Sequence, residues 1–428
     1  MRSAARPAPR SALLALPRER LFWSVALGHL TNDIFMNLGP VSMVFIASLY
    51  SLDAVQLGLA LGARDAVSAL SQPLFGWLSD RLGGRWLAPG GVAWLVTLSM
   101  VTFLMVPTGR YWLVVLPYAL SALGSGAFHP VGVTHATTVD TTRQAGNAAY
   151  FFLFGQTGLA LGPTLAGFLL DQSGRALQPG ANPFHLFFAL PLIALPALFL
   201  MASAIPNRPN RPAARPREGA APAPASRAAG LVVGPLLLVA TLLLLRSIAN
   251  FSTVNFIPVL FERKGWSPTQ YGLITSSFWI ASAVSGVILG QLADRFDRRL
   301  VIAGSLALAA PAMFILPLLD GAPAFALAIA SGGFVGGSFS IIVVIAQSLI
   351  PVGKGLASGL ILGFAFFTGA LGNPLIGVLA DGAQVTLHLR EVTIGGIGLE
   401  RTFQVVAGLA LLAALLALLL PKREENHA

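Results

Sequence analysis

No cysteine occurs anywhere in the 428 residues, so disulfides, thiolate metal sites and thiol nucleophiles are excluded together. Charge is nearly as scarce: 10% of the residues are Asp, Glu, Lys or Arg, against about 25% in soluble domains. Long polar stretches are rare too, which leaves no room for a soluble catalytic domain. Hydrocarbon fills the chain instead, with 55% hydrophobic residues and a mean hydropathy of +0.75.

A bilayer core of roughly 30 Å takes about 20 apolar residues per helix. Twelve such runs can be counted, starting near Leu21, Val55, Trp86, Tyr111, Ala145, Pro183, Leu231, Tyr271, Leu300, Ala324, Gly355 and Thr402. The expected fold class is an all-α integral membrane protein of twelve transmembrane helices. The arginine-rich start precedes a run that is long, contains Asp33 and lacks a clear small-residue cleavage site, so it reads as an uncleaved first helix. The longest polar stretches are the amino-terminal tail, the segment from Pro206 to Ala229 and a loop from Gly382 to Arg401.

The formal net charge is +10, and its placement matters more than its size. With the amino terminus in the cytoplasm, nineteen of the 27 Lys and Arg fall on the cytoplasmic side, six on the other, and Arg64 and Arg246 inside spans. The positive-inside rule then puts both termini in the cytoplasm, and the basic residues read as topology signals rather than a nucleic-acid surface.

Residues 206–229 hold six prolines and five arginines, a composition that neither packs nor forms helix. It reads as a cytoplasmic linker between two six-span bundles, 21–205 and 230–421, with tails at 1–20 and 422–428. The two halves repeat one another. GWLSDRLGGR from Gly76 matches GQLADRFDRR from Gly290 at a shift of 214, keeping Gly, Asp, Arg and Arg in step. NDIFMNLGP from Asn32 matches NFSTVNFIP from Asn250 at 218, and GPTLAGFLLD from Gly162 matches GNPLIGVLAD from Gly372 at 210. Internal repeats of this kind build many secondary transporters, with the substrate site near the midplane between the halves.

Six plus six spans, a basic central linker and the doubled G-x-L-x-D-R-x-x-x-R loop resemble the major facilitator superfamily over essentially the whole chain. Within it, GHLTND, SQPLFGWLSDR and FHPVG resemble the bacterial fosmidomycin-resistance group of efflux transporters. GLALGPTLAG, with Gly158, Gly162, Pro163 and Gly167, is similar to the fifth-helix element associated with antiporters, although Ala166 stands where a glycine is expected. The resemblance implies two pseudo-symmetric six-helix bundles whose first, fourth, seventh and tenth helices line the cavity. It also implies that the loop residues Gly76, Asp80, Arg81, Arg85, Gly290, Asp294, Arg295 and Arg299 form conformational latches that stabilise the outward-open state.

Ionisable side chains within spans cost roughly 2.5 to 3.5 kcal/mol each at a helix centre, so each is a functional candidate. They are His29 and Asp33 in the first span, Arg64 and Asp65 in the second, His129 and His135 in the fourth and Arg246 in the seventh. His29, Asp33 and Asn37 recur every four residues and make one polar stripe. Asp65, Ser68 and Gln72 form a second stripe, Arg246, Asn250 and Thr253 a third, and Ser121, Ser125 and His129 a fourth. Proton coupling needs a carboxylate that binds and releases a proton near neutral pH, which partial desolvation beside a cation can arrange. Asp33 is the first candidate, with His29 one turn away to relay the proton, and Asp65 and His129 beside them.

A purely structural hydrogen bond between His29 and Asp33 remains the competing reading. Arg64 is expected either to lock to Asp33 across the first two spans or to form an architectural ion pair. Arg246 suits an anionic group, which guanidinium binds bidentately. Substrate contacts are thus assigned to Asn37, Arg64, His129, Arg246 and Asn250. Pro130 frees backbone near Gly126, so His129 either titrates or caps those carbonyls as part of a bend, while Ala122 and Gly126 offer a seam for another helix.

The expected function is a proton-coupled antiporter exporting a small amphipathic or anionic compound across a bacterial inner membrane. Import by symport of an organic anion is the alternative. An intramembrane enzyme is disfavoured because no activated nucleophile, metal-ligand cluster or phosphate loop is present. The expected partners are a small-molecule substrate, protons and the lipid bilayer, without nucleic acid, cofactor or metal, and with the chain acting as a monomer.

Overall fold

The computed structural model describes residues 17–140, 144–176, 181–206, 233–349, 354–387 and 390–420. The linker and the tail residues 1–16 and 421–428 lie outside the described residues, apart from Pro206 at the linker's start. The amino-terminal half contributes α1 (Arg20–Tyr50), α2 (Ala54–Leu82), α3 (Leu87–Met105), α4 (Tyr111–Thr138), α5 (Gln144–Ala176) and α6 (Pro191–Ala204). The second half contributes α7 (Val233–Arg263), α8 (Pro268–Arg295), α9 (Arg298–Ile315), α10 (Gly321–Ser331), α11 (Phe339–Leu349), α12 (Lys354–Asp381) and α13 (Leu399–Ala417). Eleven described spans are long and apolar enough to cross a bilayer, α10 and α11 together forming one of them. The twelfth is α2, which has 29 residues but carries Arg64, Asp65, Asp80 and Arg81.

Two features differ from the sequence expectation. The tenth span is not one continuous helix, because a π-helical turn at Gly332–Gly336 separates α10 from α11. The polar loop after Gly382 is a hairpin, with β1 (Gly382–Leu387) antiparallel to β2 (Arg390–Gly395).

The repeat recurs in the local chemistry. Asp53 caps α2 in a capping box with Gln56, and Ser267 caps α8 in a capping box with Gln270. Both boxes satisfy donors at a helix start that water would otherwise have to reach. The molecule's outside is apolar, with Leu70 71%, Trp112 70% and Phe199 70% exposed, as a surface bathed in lipid tails requires. Its polar groups lie inside.

The halves join along two seams, α2 against α12 and α5 against α8. At both, glycine brings backbones together. A methyl group on Gly58 or Gly272 would strike the carbonyl of Asn373 or Pro163 respectively, and one on Gly62 the carbonyl of Ala370. Among the described residues, every hydrogen bond between the halves lies from the middle of the membrane to the end remote from the linker. On the linker side Gly290 has nothing within 4 Å of a built methyl, and Gly76 meets only Pro130 of its own half. Arg81 stacks on Trp77, Arg85 on Trp86, and Arg299 forks onto Asp297. No ion pair among the described residues ties the latch loops of the two halves to each other.

Candidate functional site

Proline and glycine decide where the buried polar groups go. Pro40 removes the N–H that would bond the Met36 carbonyl inside α1. Arg64 Nη1 takes that carbonyl at 2.5 Å, Nη2 reaches the Phe35 carbonyl at 3.3 Å, and the guanidinium lies 4.7 Å from the Tyr118 ring centroid. The Arg64–Asp33 lock is therefore not formed, because the nearer unsatisfied acceptors are backbone. Arg246 behaves likewise at the π-turn. Its Nε and Nη2 donate to the Val335 carbonyl at 3.1 and 2.8 Å, and Nη2 donates to the Gly336 carbonyl at 3.0 Å. Ser285 and Ser305 donate to the Gly333 and Phe334 carbonyls. Each carbonyl from Gly333 to Gly336 thus has a side-chain donor, and Arg246 keeps only Nη1 for anything else.

The first-span stripe also divides. Asn37 turns to α5 and donates to the Leu159 carbonyl at 2.5 Å, so it does not join a substrate-facing row. His29 and Asp33 meet His129 of α4. His29 Nε2 is 3.3 Å from Asp33 Oδ2, and His129 Nε2 is 3.7 Å from Asp33 Oδ1. Asn32 Nδ2 donates to Asp33 Oδ1 at 2.8 Å and to Ser125 Oγ at 3.1 Å, fixing the carboxylate and joining α1 to α4. Asn32 anchors the repeat with Asn250 but lies off the polar stripe, so helical spacing alone gives it no place in the cluster.

Both imidazoles are pinned from behind. His29 Nδ1 donates to the Phe151 carbonyl at 2.8 Å, with its ring stacked 4.1 Å from that of Phe151. His129 Nδ1 donates to the Ser125 carbonyl at 2.9 Å, not to the Gly126 carbonyl left by Pro130. A carbonyl only accepts, so both Nδ1 atoms carry the hydrogen and both Nε2 atoms face the carboxylate. An Nε2 lone pair facing an ionised carboxylate is repulsive unless a proton lies between them. The ligand atoms of His29, Asp33 and His129 all lie within 4.8 Å of one another, so the same three side chains that could share protons could also hold a metal ion, a cluster not expected from the sequence.

The fifth-helix element shapes this cluster. Gly155 leaves the space that the His29 ring fills, Gly158 lies against the Leu30 carbonyl and Asp33 Cβ, and Gly162 against Ile34 and Asn37 backbone. Pro163 and Gly167 face α8 instead, against Gly272 and Pro268. In the other direction Gly126 receives Ser71 of α2, the close approach expected of that seam. The side chain of His129 is 20% exposed against 9% for Asp33 and 4% for His29, so His129 is the most open member.

Asp65 stands apart from the cluster. It accepts from Asn373 Nδ2 at 2.9 Å, and Asn373 Oδ1 accepts from Asn255 Nδ2 at 3.2 Å, a chain that crosses between the halves. Asn250 is buried with Oδ1 unpartnered, and His135 faces Gly84 away from the cluster.

The Major Facilitator Superfamily model matches residues 25–267 and 239–428. The Fosmidomycin resistance protein of Escherichia coli (strain K12) is 29% identical over 366 residues, 85% of this chain and 87% of that one. The uncharacterized MFS-type transporter YfnC of Bacillus subtilis (strain 168) is 28% identical, with 85% and 87% covered. The quinolone resistance protein NorA of Staphylococcus aureus is 26% identical over 42% of this chain and 43% of its own length. Among solved structures, a D-xylose-proton symporter superposes with a TM-score of 0.71 at 15% identity, covering 93% of this chain and 96% of that one. A bacterial homologue of the human lysosomal transporter Spinster, in an inward-facing and unoccupied conformation, gives 0.67 at 14% identity, covering 95% and 98%.

Proposed function

The chain belongs to the major facilitator superfamily, and from that premise we propose that it is a proton-coupled antiporter exporting a small amphipathic or anionic compound. It works in a bacterial inner membrane with both termini and the 206–229 linker in the cytoplasm, the halves 21–205 and 230–421 rocking about the substrate. The state described is then inward-facing, since the halves are joined at the end remote from the linker.

The observation that carries this reading is the convergence of His29 and His129 on the two oxygens of Asp33. With both Nδ1 hydrogens committed to carbonyls, the inner positions hold one shared proton in a neutral cluster or two in a cationic one. Two protons give each carboxylate oxygen its own Nε2–H. Loss of one proton through His129, the exposed member, frees its Nε2 and the Asp33 oxygen it faces to accept from a polar group of the substrate, so proton and substrate compete at one place, as antiport requires. Arg246 Nη1 and Asn250 Oδ1, both in buried side chains, are the further polar atoms left for a substrate to engage once the site opens, whereas Arg64 and Asn37 are committed to backbone. The efflux-related relatives support the export direction.

Purified protein in vesicles with an imposed pH gradient tests the reading, using fosmidomycin and a quinolone as probes. Asp33→Asn is expected to abolish gradient-driven accumulation while leaving probe exchange intact. Undiminished gradient-driven transport in that variant would refute the coupling role.

A further inference from the structure

The repeat that aligns Gly162 with Gly372 also aligns Asp171 with Asp381, and both carboxylates do the same thing in space. Asp381, at the end of α12, accepts the backbone N–H of Ala54 at the first residue of α2 at 2.7 Å. Asp171, late in α5, accepts the backbone N–H of Thr269 at the start of α8 at 3.0 Å. Each joins one half to the other, at the end remote from the linker. The equivalent of Ala54 in the second half is Pro268, which has no N–H, and the contact moves one residue on to Thr269.

The surrounding backbone repeats as well. Gly377 lies against Ala54 and Gly167 against Pro268, in each case so close that a methyl group would strike the partner's carbonyl. The first turn of a helix has unsatisfied N–H groups and the positive end of the dipole, so an acceptor carboxylate is held there by charge as well as geometry. One difference separates the two seams. Arg263 forks onto Asp381 with Nη1 to Oδ1 at 2.9 Å and Nη2 to Oδ2 at 2.7 Å, whereas Phe45 occupies its repeat position in the first half.

We infer that Asp171 and Asp381 are a pair of gate residues, duplicated with the halves, that hold the end remote from the linker shut. Opening that end requires both carboxylates to leave the helix starts they grip. The α12–α2 clasp, backed by Arg263, is the stronger. This inference rests on the alternating-access reading above but needs neither a known substrate nor a proton gradient.

The absence of cysteine makes the test direct, because introduced thiols are the only ones labelled. Spin labels on R110C and A322C report the remote side, and labels on L82C and F296C the linker side; all four positions are exposed. Distance distributions in nanodiscs are measured by double electron–electron resonance. Asp381→Asn, which loses the charge and weakens the Arg263 fork, is expected to raise the long-distance population on the remote side about tenfold, and Asp171→Asn about threefold. The linker-side pair should shorten in parallel. Gly377→Ala keeps the carboxylate but blocks the backbone approach, and should shift both pairs in the same direction even if an Asp variant fails to fold. Unchanged distributions in the folded Asp variants or in Gly377→Ala, in a wild type that populates two states, overturn the clasps alone. A wild type with one fixed distance in every buffer overturns alternating access itself.

Discussion

Replacing Arg246 by Met distinguishes a backbone cap from a substrate anchor. In the wild type the guanidinium makes three hydrogen bonds to the carbonyls of Val335 and Gly336, in a site only 3% exposed. Ser338 Oγ also donates to the Val335 carbonyl at 2.8 Å, so that acceptor keeps a partner in the variant, while the Gly336 carbonyl loses its side-chain donor. A buried acceptor without a donor costs about 1–3 kcal/mol. Adding a partial loss at Val335 and of the Phe339 cation–π contact, 4.9 Å to the ring centroid, sets the expectation at about 3 kcal/mol for Met. Lysine, a point charge that cannot fork, should lose about half as much. Equilibrium unfolding in mixed detergent micelles, followed by tryptophan fluorescence, measures both. A Met variant within about 0.5 kcal/mol of wild type, ordinary surface scatter, that has lost fosmidomycin binding would refute the capping role and restore the anchor.

Three further outcomes follow from the same geometry. Gly155→Leu fills the space occupied by His29, and should abolish gradient-driven transport while leaving the helix content by circular dichroism unchanged. Pro40→Ala restores the N–H that competes with Arg64 for the Met36 carbonyl; a double-mutant cycle with Arg64→Met should give a coupling of about 1 kcal/mol, and strict additivity would contradict the cap. His129→Gln removes the group that titrates near pH 6.5 in its unperturbed form, and should flatten the pH profile of transport between roughly pH 5 and 8 while substrate binding persists. An unaltered profile would leave His129 only a bending role.

The spans and the repeat are legible in the sequence for particular physical reasons. Spans read well because lipid exposure demands long apolar runs, and the repeat reads well because the same Gly, Asp, Arg, Asn and Pro recur in order at the near-constant shifts 210, 214 and 218. The pairing of His29 with Asp33 follows from a one-turn spacing, but the arrival of His129 does not, since it depends on how α4 crosses α1. Charge complementarity alone points Arg64 and Arg246 to anions; the acceptors that hold them are backbone carbonyls, those of Met36 beside Pro40 and of Phe35 for Arg64, and those of the π-turn for Arg246. A sequence signal for that turn existed in the glycine pairs of SGGFVGG, residues 331–337. The hairpin was likewise written in β-branched Val385, Thr386, Val392, Thr393 and Ile394, which the polar neighbours obscured.

The duplicated clasp has a consequence for assembly. The start of the second span in each half meets the end of the fifth span in the other, and the relation holds in both directions. Contacts of that form are isologous, the kind made by the two protomers of a C2 homodimer. A half of this design carries both the grip and the surface it grips, so it is complementary to a second copy of itself. With two such halves on one chain, their mutual orientation is written into the halves themselves.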